Sequence, residues 1–150
     1  MKFRPVTIKK ISQLINSVYL KMKLSGHIHV VDDSPEIRRL LTMILGQQGY
    51  SIDTHDSATA YLRSNVSQQP EIMILDVRMP GMTGVELQAH LKALGRNIPI
   101  VFISGGCSPT ELETIQAAGC VDFLWKPFNT EQLTQAVQKG FAIANGHKVP

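Results

Sequence analysis

The feature that most constrains the fold is a fivefold alternation of short apolar runs with longer segments of helical period, which begins at His27. The apolar runs predict five β-strands: His27–Val31, Tyr50–His55, Ile72–Asp76, Ile100–Ser104 and Asp122–Trp125. The third and fourth runs, IMILD and IVFIS, are almost continuously apolar, which is typical of parallel strands buried on both faces. The alternation therefore predicts an α/β fold with a doubly wound, five-stranded parallel sheet.

The segments that follow the strands predict five helices: Pro35–Gln48, Ser57–Asn65, Gly84–Leu94, Pro109–Ala118 and Thr130–Ala144. Four helix starts carry a capping residue, which in three cases is followed by Glu or Gln at capping-box spacing: Ser34, Thr83 with Glu86, Ser108 with Glu111, and Asn129 with Gln132. Gly49, Gly95 and Gly119 stand where three of the helices must end. The local signals therefore agree with the strand pattern.

The charge of the chain is divided unevenly between a leader and a body. The 150 residues carry 15 basic and 12 acidic side chains, a net charge of +3. Six of the bases and none of the acids fall in residues 1–25, which leaves nine bases against 12 acids, a net charge of −3, in residues 26–150. This asymmetry is evidence against a nucleic-acid-binding body, which would need a basic face of its own.

We divide the chain into a basic N-terminal extension (1–25), a main domain (26–145) and a C-terminal tail (146–150). Apolar residues of the extension recur at helical spacing, at Ile8, Ile11, Ile15, Val18 and Met22. Three interpretations stay open: a disordered or weakly helical tail, sequence upstream of a natural start, or an amphipathic surface helix for a membrane or partner. The pattern is not that of a secretory signal, and no apolar run is long enough to span a bilayer.

The cysteine pattern bears on location and on metal binding. Cys107 and Cys120 lack CxxC spacing and form no metal-like pattern with the five histidines. We therefore expect reduced thiols in a cytoplasmic protein, and neither a disulfide nor a zinc site.

Polar side chains stand at the carboxyl ends of four predicted strands. Asp32 and Asp33 follow the first strand, and the remaining ones are Asp76, Ser104 and Lys126. Because ligands bind at the carboxyl ends of the strands in such a sheet, we expect these groups to converge. Three carboxylates in one pocket repel each other, and a divalent cation that prefers oxygen ligands, Mg²⁺, would relieve the repulsion. The set predicts phosphoryl transfer to Asp76, with Lys126 and Ser104 binding phosphoryl oxygens.

Residues 26–145 carry four motifs in order: DD, LDVRMPGMTG, a strand-final Ser and DFLWKPF. With these motifs they resemble the receiver domain of response regulators, and are most similar to receivers of the FixJ type. The resemblance implies a flavodoxin-like fold and a phosphoacceptor signalling domain of a two-component system. Such a domain receives the phosphoryl group from a sensor histidine kinase, a phosphotransfer protein or acetyl phosphate. It catalyses only its own phosphorylation and dephosphorylation, and is not otherwise an enzyme.

The resemblance also assigns roles by position. It implies that Asp33 and Asp76 bind Mg²⁺ directly, that Asp32 acts through a water molecule, and that the main-chain carbonyl of Arg78 is a further ligand. The backbone N–H groups expected to hold the phosphoryl oxygens are those of Val77 and Gly105. A cis peptide bond is expected between Lys126 and Pro127.

Phe123 occupies the position where many receivers place a tyrosine, so it is either an ordinary core residue or a switch driven by packing alone. Our hypothesis is that Ser104 moves toward the phosphoryl group and that Phe123 fills the space it leaves. The face formed by the helix Pro109–Ala118 and the fifth strand would then change and signal to a partner or an output domain. A homodimer through this face is compatible with the resemblance.

Other classes of protein fit the pattern less well. A Mg²⁺-dependent phosphatase of similar topology typically has its nucleophile in a DxD motif on the first strand, and a flavodoxin-like cofactor binder needs a phosphate-binding loop where Asp32 and Asp33 stand. A receiver that only binds proteins stays an alternative. FixJ-like regulators carry a helix-turn-helix domain after the receiver, for which this chain has no room, so a stand-alone receiver, a fragment and a truncated regulator all stay open.

Overall fold

A computed structural model describes residues 7–23, 26–65 and 71–146. In chain order its elements are α1 (Ile8–Lys23), β1 (His27–Val31), α2 (Pro35–Gln47), β2 (Ser51–His55), α3 (Ala58–Leu62), β3 (Glu71–Asp76), α4 (Gly84–Ala93), β4 (Ile100–Ser104), α5 (Pro109–Ala117), β5 (Asp122–Trp125) and α6 (Thr130–Ala144). The five strands form one parallel sheet in the order β2-β1-β3-β4-β5. The predicted doubly wound, flavodoxin-like fold is thus confirmed.

The helices begin where the capping residues predicted. Three capping boxes are present, in which Thr83, Ser108 and Asn129 cap α4, α5 and α6. The main difference is α3, which ends at Leu62 and not at residue 65. The N–H and the hydroxyl of Ser64 both donate to the Tyr61 carbonyl, at 2.9 and 2.6 Å, and this local bonding competes with continuation of the helix.

Two apolar layers cover the sheet. One face packs against α2 and α6 through Ile28, Val30, Ile72, Ile74, Leu41, Leu45, Leu133 and Phe141. The other face packs against α3, α4 and α5 through Val31, Met73, Leu75, Tyr61, Leu87, Leu91 and Ile115. β1 and β3 are neighbouring interior strands of the sheet, and both of their faces are covered by helices. Their carboxyl ends therefore lie side by side, near the middle of the side of the sheet at which all five strands end.

The basic extension contains a helix, α1, whose described side chains from Ile8 to Val18 are exposed. The side chain of Met22 lies outside the described residues, as do residues 1–6, 24–25 and 147–150. The division into 1–25, 26–145 and 146–150 stays a prediction. Within the described parts of the chain, no helix combines the length and the hydropathy that a membrane crossing requires.

Candidate functional site

Three carboxylates meet where β1 and β3 end. Asp32, Asp33 and Asp76 each offer an oxygen, and these oxygens lie within 4.8 Å of one another. Asp32 and Asp76 are buried, whereas Asp33 is exposed. The parallel register places the last residues of β1 beside those of β3, so the sheet itself brings these groups together.

Lys126 is the cation of this acidic pocket, which we define as Asp32, Asp33, Asp76 and Lys126. Its Nζ lies 2.9 Å from Asp32 Oδ2 and 3.3 Å from Asp76 Oδ1. The backbone N–H of Lys126 donates to the carbonyl of Ser104 at 2.8 Å, which ties the lysine to the end of β4. The Lys126–Pro127 bond is cis, as expected. One ammonium therefore faces three carboxylates.

The electrostatics of the pocket follow from burial and crowding. Burial, and next the charge of Asp32, raise the pKa of Asp76 to about 6, although Lys126 opposes this rise. Burial lowers the pKa of Lys126, but the hydrogen bonds and charges of Asp32 and Asp76 together outweigh it, so that this pKa is raised. At neutral pH the lysine is charged and Asp76 is mostly ionised, so the pocket carries excess negative charge.

The residues fit a hard divalent cation. Both oxygens of Asp32 are already bound, since Oδ1 accepts from the N–H of Ser34 at 2.8 Å and Oδ2 accepts from Lys126. Its carbonyl accepts from Arg38 Nη1 at 2.6 Å. Asp33 is exposed to solvent, and one of its oxygens lies within 4.8 Å of an oxygen of Asp76. An all-oxygen donor set with excess negative charge suits Mg²⁺.

Ser104 ends β4 and is buried. Its hydroxyl donates to the carbonyl of Gly106 at 2.6 Å and accepts from the N–H of Gly106 at 3.2 Å. The hydroxyl is therefore bound to the β4–α5 loop, and it must rotate before it can serve a group on Asp76. Gly105 lies inside this loop, and a Cβ added to it would meet no atom within 4 Å.

The role expected for the N–H of Val77 stays a prediction. This N–H donates to the carbonyl of Ile103 at 3.1 Å and so continues the β3–β4 ladder by one residue. An N–H that is already bonded within the sheet is not free to hold a phosphoryl oxygen without loss of that bond. The bond itself could not be predicted, because the sequence does not show whether the ladder between β3 and β4 continues beyond Asp76.

Arg78 joins the acidic edge to α5. Its Nε donates to the carbonyl of Gly106 at 3.0 Å, and its Nη2 pairs with Glu111 Oε2 at 2.8 Å. The same Glu111 oxygen accepts from the backbone N–H of Ser108 and so completes the cap of α5. This link could not be predicted from local sequence, because it joins residues 33 positions apart.

Phe123 and Trp125 stand on the surface formed by β5 and α5. Phe123 is half-buried and packs against the second apolar layer, with its ring centre 4.8 Å from that of Trp125. Trp125 is 50% exposed and Leu124, between them, is buried. Phe123 is therefore partly core and partly surface, which agrees with either role that the sequence left open.

Gly84 is a site residue that sequence reasoning missed. A Cβ at this position would lie 2.2 Å from the carbonyl oxygen of Asp76, and the Gly84 N–H donates to the carbonyl of Val77 at 2.9 Å. The start of α4 can approach the acidic pocket this closely only because residue 84 has no side chain. The glycine that follows Thr83 at the start of a helix was the available signal.

A histidine cluster at the opposite end of β1 was also missed. His27, His29 and Asp53 each offer a ligand atom within 4.8 Å of the others. The expectation drawn from the sequence concerned the histidines only together with Cys107 and Cys120, which are free thiols. It overlooked a cluster without cysteine, since the three residues come from two strands whose register is not visible in sequence.

The open parallel sheet, with an acidic pocket and a lysine at the carboxyl ends of its strands, defines a class of small α/β domains that receive signals. The response regulator receiver domain family matches residues 28–138, and the chain belongs to this family. The predicted likeness to receivers of the FixJ type is confirmed by relatives and by solved structures.

Two relatives illustrate the match. The chain is 38% identical over 118 residues to the response regulator protein TodT of Pseudomonas putida, with 78% of this chain and 52% of TodT covered. It is 36% identical over 113 residues to the transcriptional regulatory protein FixJ of Rhizobium meliloti, with 75% of this chain and 55% of FixJ covered. The chain thus spans about half the length of these relatives.

Solved structures agree with the fold. The crystal structure of FixJ-N superposes with a TM-score of 0.69 at 33% identity, and covers 83% of this chain and 97% of that one. The response regulator StyR gives a TM-score of 0.74 at 36% identity, and covers 80% of this chain and 61% of StyR. The fold and family therefore rest on sequence and on structure independently.

Proposed function

We propose that this receiver domain accepts a phosphoryl group on Asp76 from the phosphohistidine of a sensor kinase or phosphotransfer protein, or from acetyl phosphate. The observation that carries the proposal is a buried carboxylate that has an ammonium 3.3 Å from one oxygen and two further carboxylates beside it. In a protein that only binds partners, three carboxylates in contact would serve no purpose, because their repulsion destabilises the fold.

In the proposed reaction an oxygen of Asp76 attacks the phosphorus atom in line with the leaving group. The bond from phosphorus to the donor imidazole nitrogen breaks, its electron pair stays on that nitrogen, and an acyl phosphate forms on Asp76. Lys126, already 3.3 Å from Asp76 Oδ1, neutralises charge on the transferred group. A pKa of about 6 leaves Asp76 mostly ionised at neutral pH and therefore able to attack.

Asp33 and Asp76 would hold Mg²⁺ directly, with the main-chain carbonyl of Arg78 as a further ligand. Asp32 would act through a water molecule, because its two oxygens already accept bonds from Ser34 and Lys126. The bound ion would supply positive charge to the incoming phosphoryl group and to the carboxylates. The backbone N–H groups of Val77 and Gly105 would help to hold the phosphoryl oxygens, and that of Val77 would first give up its bond to the carbonyl of Ile103.

Ser104 would give up its bonds to Gly106 and donate its hydroxyl to the phosphoryl group. Its departure would leave space that the half-buried Phe123 can fill. The surface of α5 and β5, with Trp125 exposed on it, would then present a changed face to a partner, to an output domain or to a second copy of the chain. The domain would act in the cytoplasm and would catalyse only its own phosphorylation and dephosphorylation.

Acetyl phosphate labelling tests the acceptor. We expect Mg²⁺-dependent formation of one base-labile acyl phosphate per chain, and complete loss of labelling in Asp76→Asn. Asp56→Asn, which removes an exposed carboxylate outside the pocket, is the matched control and should label like the wild type. Undiminished labelling of Asp76→Asn would disprove the assignment.

The switch has its own readout. NMR spectra with and without beryllofluoride, a phosphoryl mimic, should show shifts in α5 and β5, and Ser104→Ala should remove them while Asp76 still labels. If the amide signals of α5 and β5 stay unchanged in the wild type, the proposed output face is wrong even where the acceptor is right.

A further inference from the structure

The histidine cluster lies on the sheet face covered by α3 and α4, at the end of β1 remote from the acidic pocket. The parallel register pairs His27 with Ser51, His29 with Asp53, and the start of β1 with Glu71 of β3. Since side chains alternate along a strand, all of these point to one face. The members of the cluster are His27, His29, Ser51, Asp53, His55 and Glu71.

Contacts within the cluster are short and involve ring nitrogens. His27 Nε2 lies 2.9 Å from Asp53 Oδ2, and His29 Nδ1 lies 3.2 Å from His55 Nε2. In a tetrahedral zinc site, ligand atoms about 2.0–2.1 Å from the ion lie roughly 3.3 Å from one another. Each of these two distances is close to the spacing of adjacent ligands around one ion, and ligand atoms of His27, His29 and Asp53 all lie within 4.8 Å of one another.

Glu71 fixes the ring of His29 in an orientation suited to metal binding. Its Oε2 lies 2.9 Å from His29 Nε2, so the proton of a neutral His29 belongs on that nitrogen. The lone pair is then on Nδ1, which faces His55. Histidines that bind metals commonly donate their other N–H to a carboxylate in this way.

The cluster is exposed to solvent at the edge strand β2 and buried at β1. β2 is an edge strand, and the Asp53 side chain is 62% exposed, whereas the side chains of His27 and His29 are 11% and 2% exposed. An ion could therefore reach the ring nitrogens along Asp53, at the edge of the sheet, and would lose most of its water on binding. Imidazole nitrogens with one carboxylate suit a first-row transition ion and not Mg²⁺.

We propose that His27, His29 and Asp53 form a binding site for a divalent transition metal of the Zn²⁺ class. His55, which contacts His29 but is not part of this three-residue group, would turn its ring to supply the fourth ligand. Glu71 is the positioning residue of this site. The bound ion would join β1 to the edge strand β2, independently of any phosphoryl chemistry at the other end of β1.

The test uses the untagged full-length chain, with Mg²⁺ in large excess so that the acidic pocket is not available. Titration with Co²⁺ should give the visible absorption of a tetrahedral complex that saturates at one ion per chain, and Zn²⁺ should displace it. Zn²⁺ should also raise the melting temperature of the protein. If no saturable one-to-one binding occurs, the cluster is only a hydrogen-bonded part of the fold and the proposal is overturned.

Variants locate the ion. Asp53→Asn and His27→Gln should each weaken the affinity for Zn²⁺ by roughly tenfold or more. Asp53 is largely exposed, so its variant keeps the test decisive even if a histidine variant does not fold. His90→Gln changes an exposed histidine of α4 and should bind as the wild type does. Binding that survives Asp53→Asn, or that is lost in Asp76→Asn, would place the ion elsewhere and contradict the proposal.

Discussion

The acidic pocket and the histidine cluster stand at opposite ends of β1, and each is assembled by side chains from neighbouring strands. In the pocket, three carboxylates share one ammonium, and burial and Asp32 together raise the pKa of Asp76 to about 6. In the cluster, each carboxylate has an imidazole partner, Asp53 with His27 and Glu71 with His29, and His55 contacts the ring of His29. The difference shows that the same sheet holds unbalanced charge at the end where chemistry is proposed, and balanced polar pairs at the other.

Gly84→Ala should have the largest effect on stability, because the new Cβ would overlap with the backbone beside the acidic pocket. The substitution leaves the charge of the pocket unchanged. The added Cβ would lie 2.2 Å from the Asp76 carbonyl, so the start of α4 must shift. We expect a loss of about 2–3 kcal/mol in the free energy of unfolding, measured by urea denaturation, and slower labelling by acetyl phosphate. Gly46→Ala, in α2, is the matched control, since its Cβ meets nothing within 4 Å. Equal stabilities of the two variants would contradict the close contact.

Asp76→Asn tests whether charge in the pocket destabilises the fold. The pKa of Asp76 is higher in the folded chain than in the unfolded one, so its ionised form destabilises the fold above a pH of about 6, and this cost disappears as the pH falls toward 4. Without Mg²⁺ at pH 7, we expect the variant to be more stable than the wild type by about 1–2 kcal/mol, less than the full shift implies because Lys126 loses a partner.

That gain should shrink at pH 4–5, and denaturation curves at both pH values measure it. Mg²⁺ should stabilise the wild type and leave the variant nearly unchanged, since the variant lacks a proposed ligand. A variant that is less stable than the wild type at pH 7 without Mg²⁺ would show that Lys126 already balances the pocket.

Tyr61→Phe should have the smallest effect, and it probes the other end of the sheet. The buried Tyr61 hydroxyl accepts a hydrogen bond from Arg96 Nη2 at 2.8 Å, beside the rings of His29 and His55. Its loss should cost about 1 kcal/mol of stability, with labelling of Asp76 unchanged. Tyr50→Phe, in the other apolar layer, controls for the substitution itself. A clear fall in the labelling rate of Tyr61→Phe would mean that the two ends of β1 are coupled.

Much of the fold could be read from local patterns. The predicted strands agree with the observed ones to within one residue, because parallel strands buried on both faces are nearly continuous apolar runs. Helix starts were equally readable, since a capping box such as Thr83 with Glu86 is a property of four consecutive residues. The end of α3 was not, because it depends on how Ser64 bonds to Tyr61 in the folded turn.

The sequence by itself determined that Asp32, Asp33, Asp76, Ser104 and Lys126 stand at strand ends, and therefore that they gather at one edge of a parallel sheet. Only the tertiary structure decided how each atom is used. In the folded chain, the N–H of Val77 donates to the carbonyl of Ile103, and the hydroxyl of Ser104 donates to the carbonyl of Gly106. The tertiary structure also joins His27 and His29 to Asp53, because strand register depends on packing of the whole sheet and leaves no local signal in the chain.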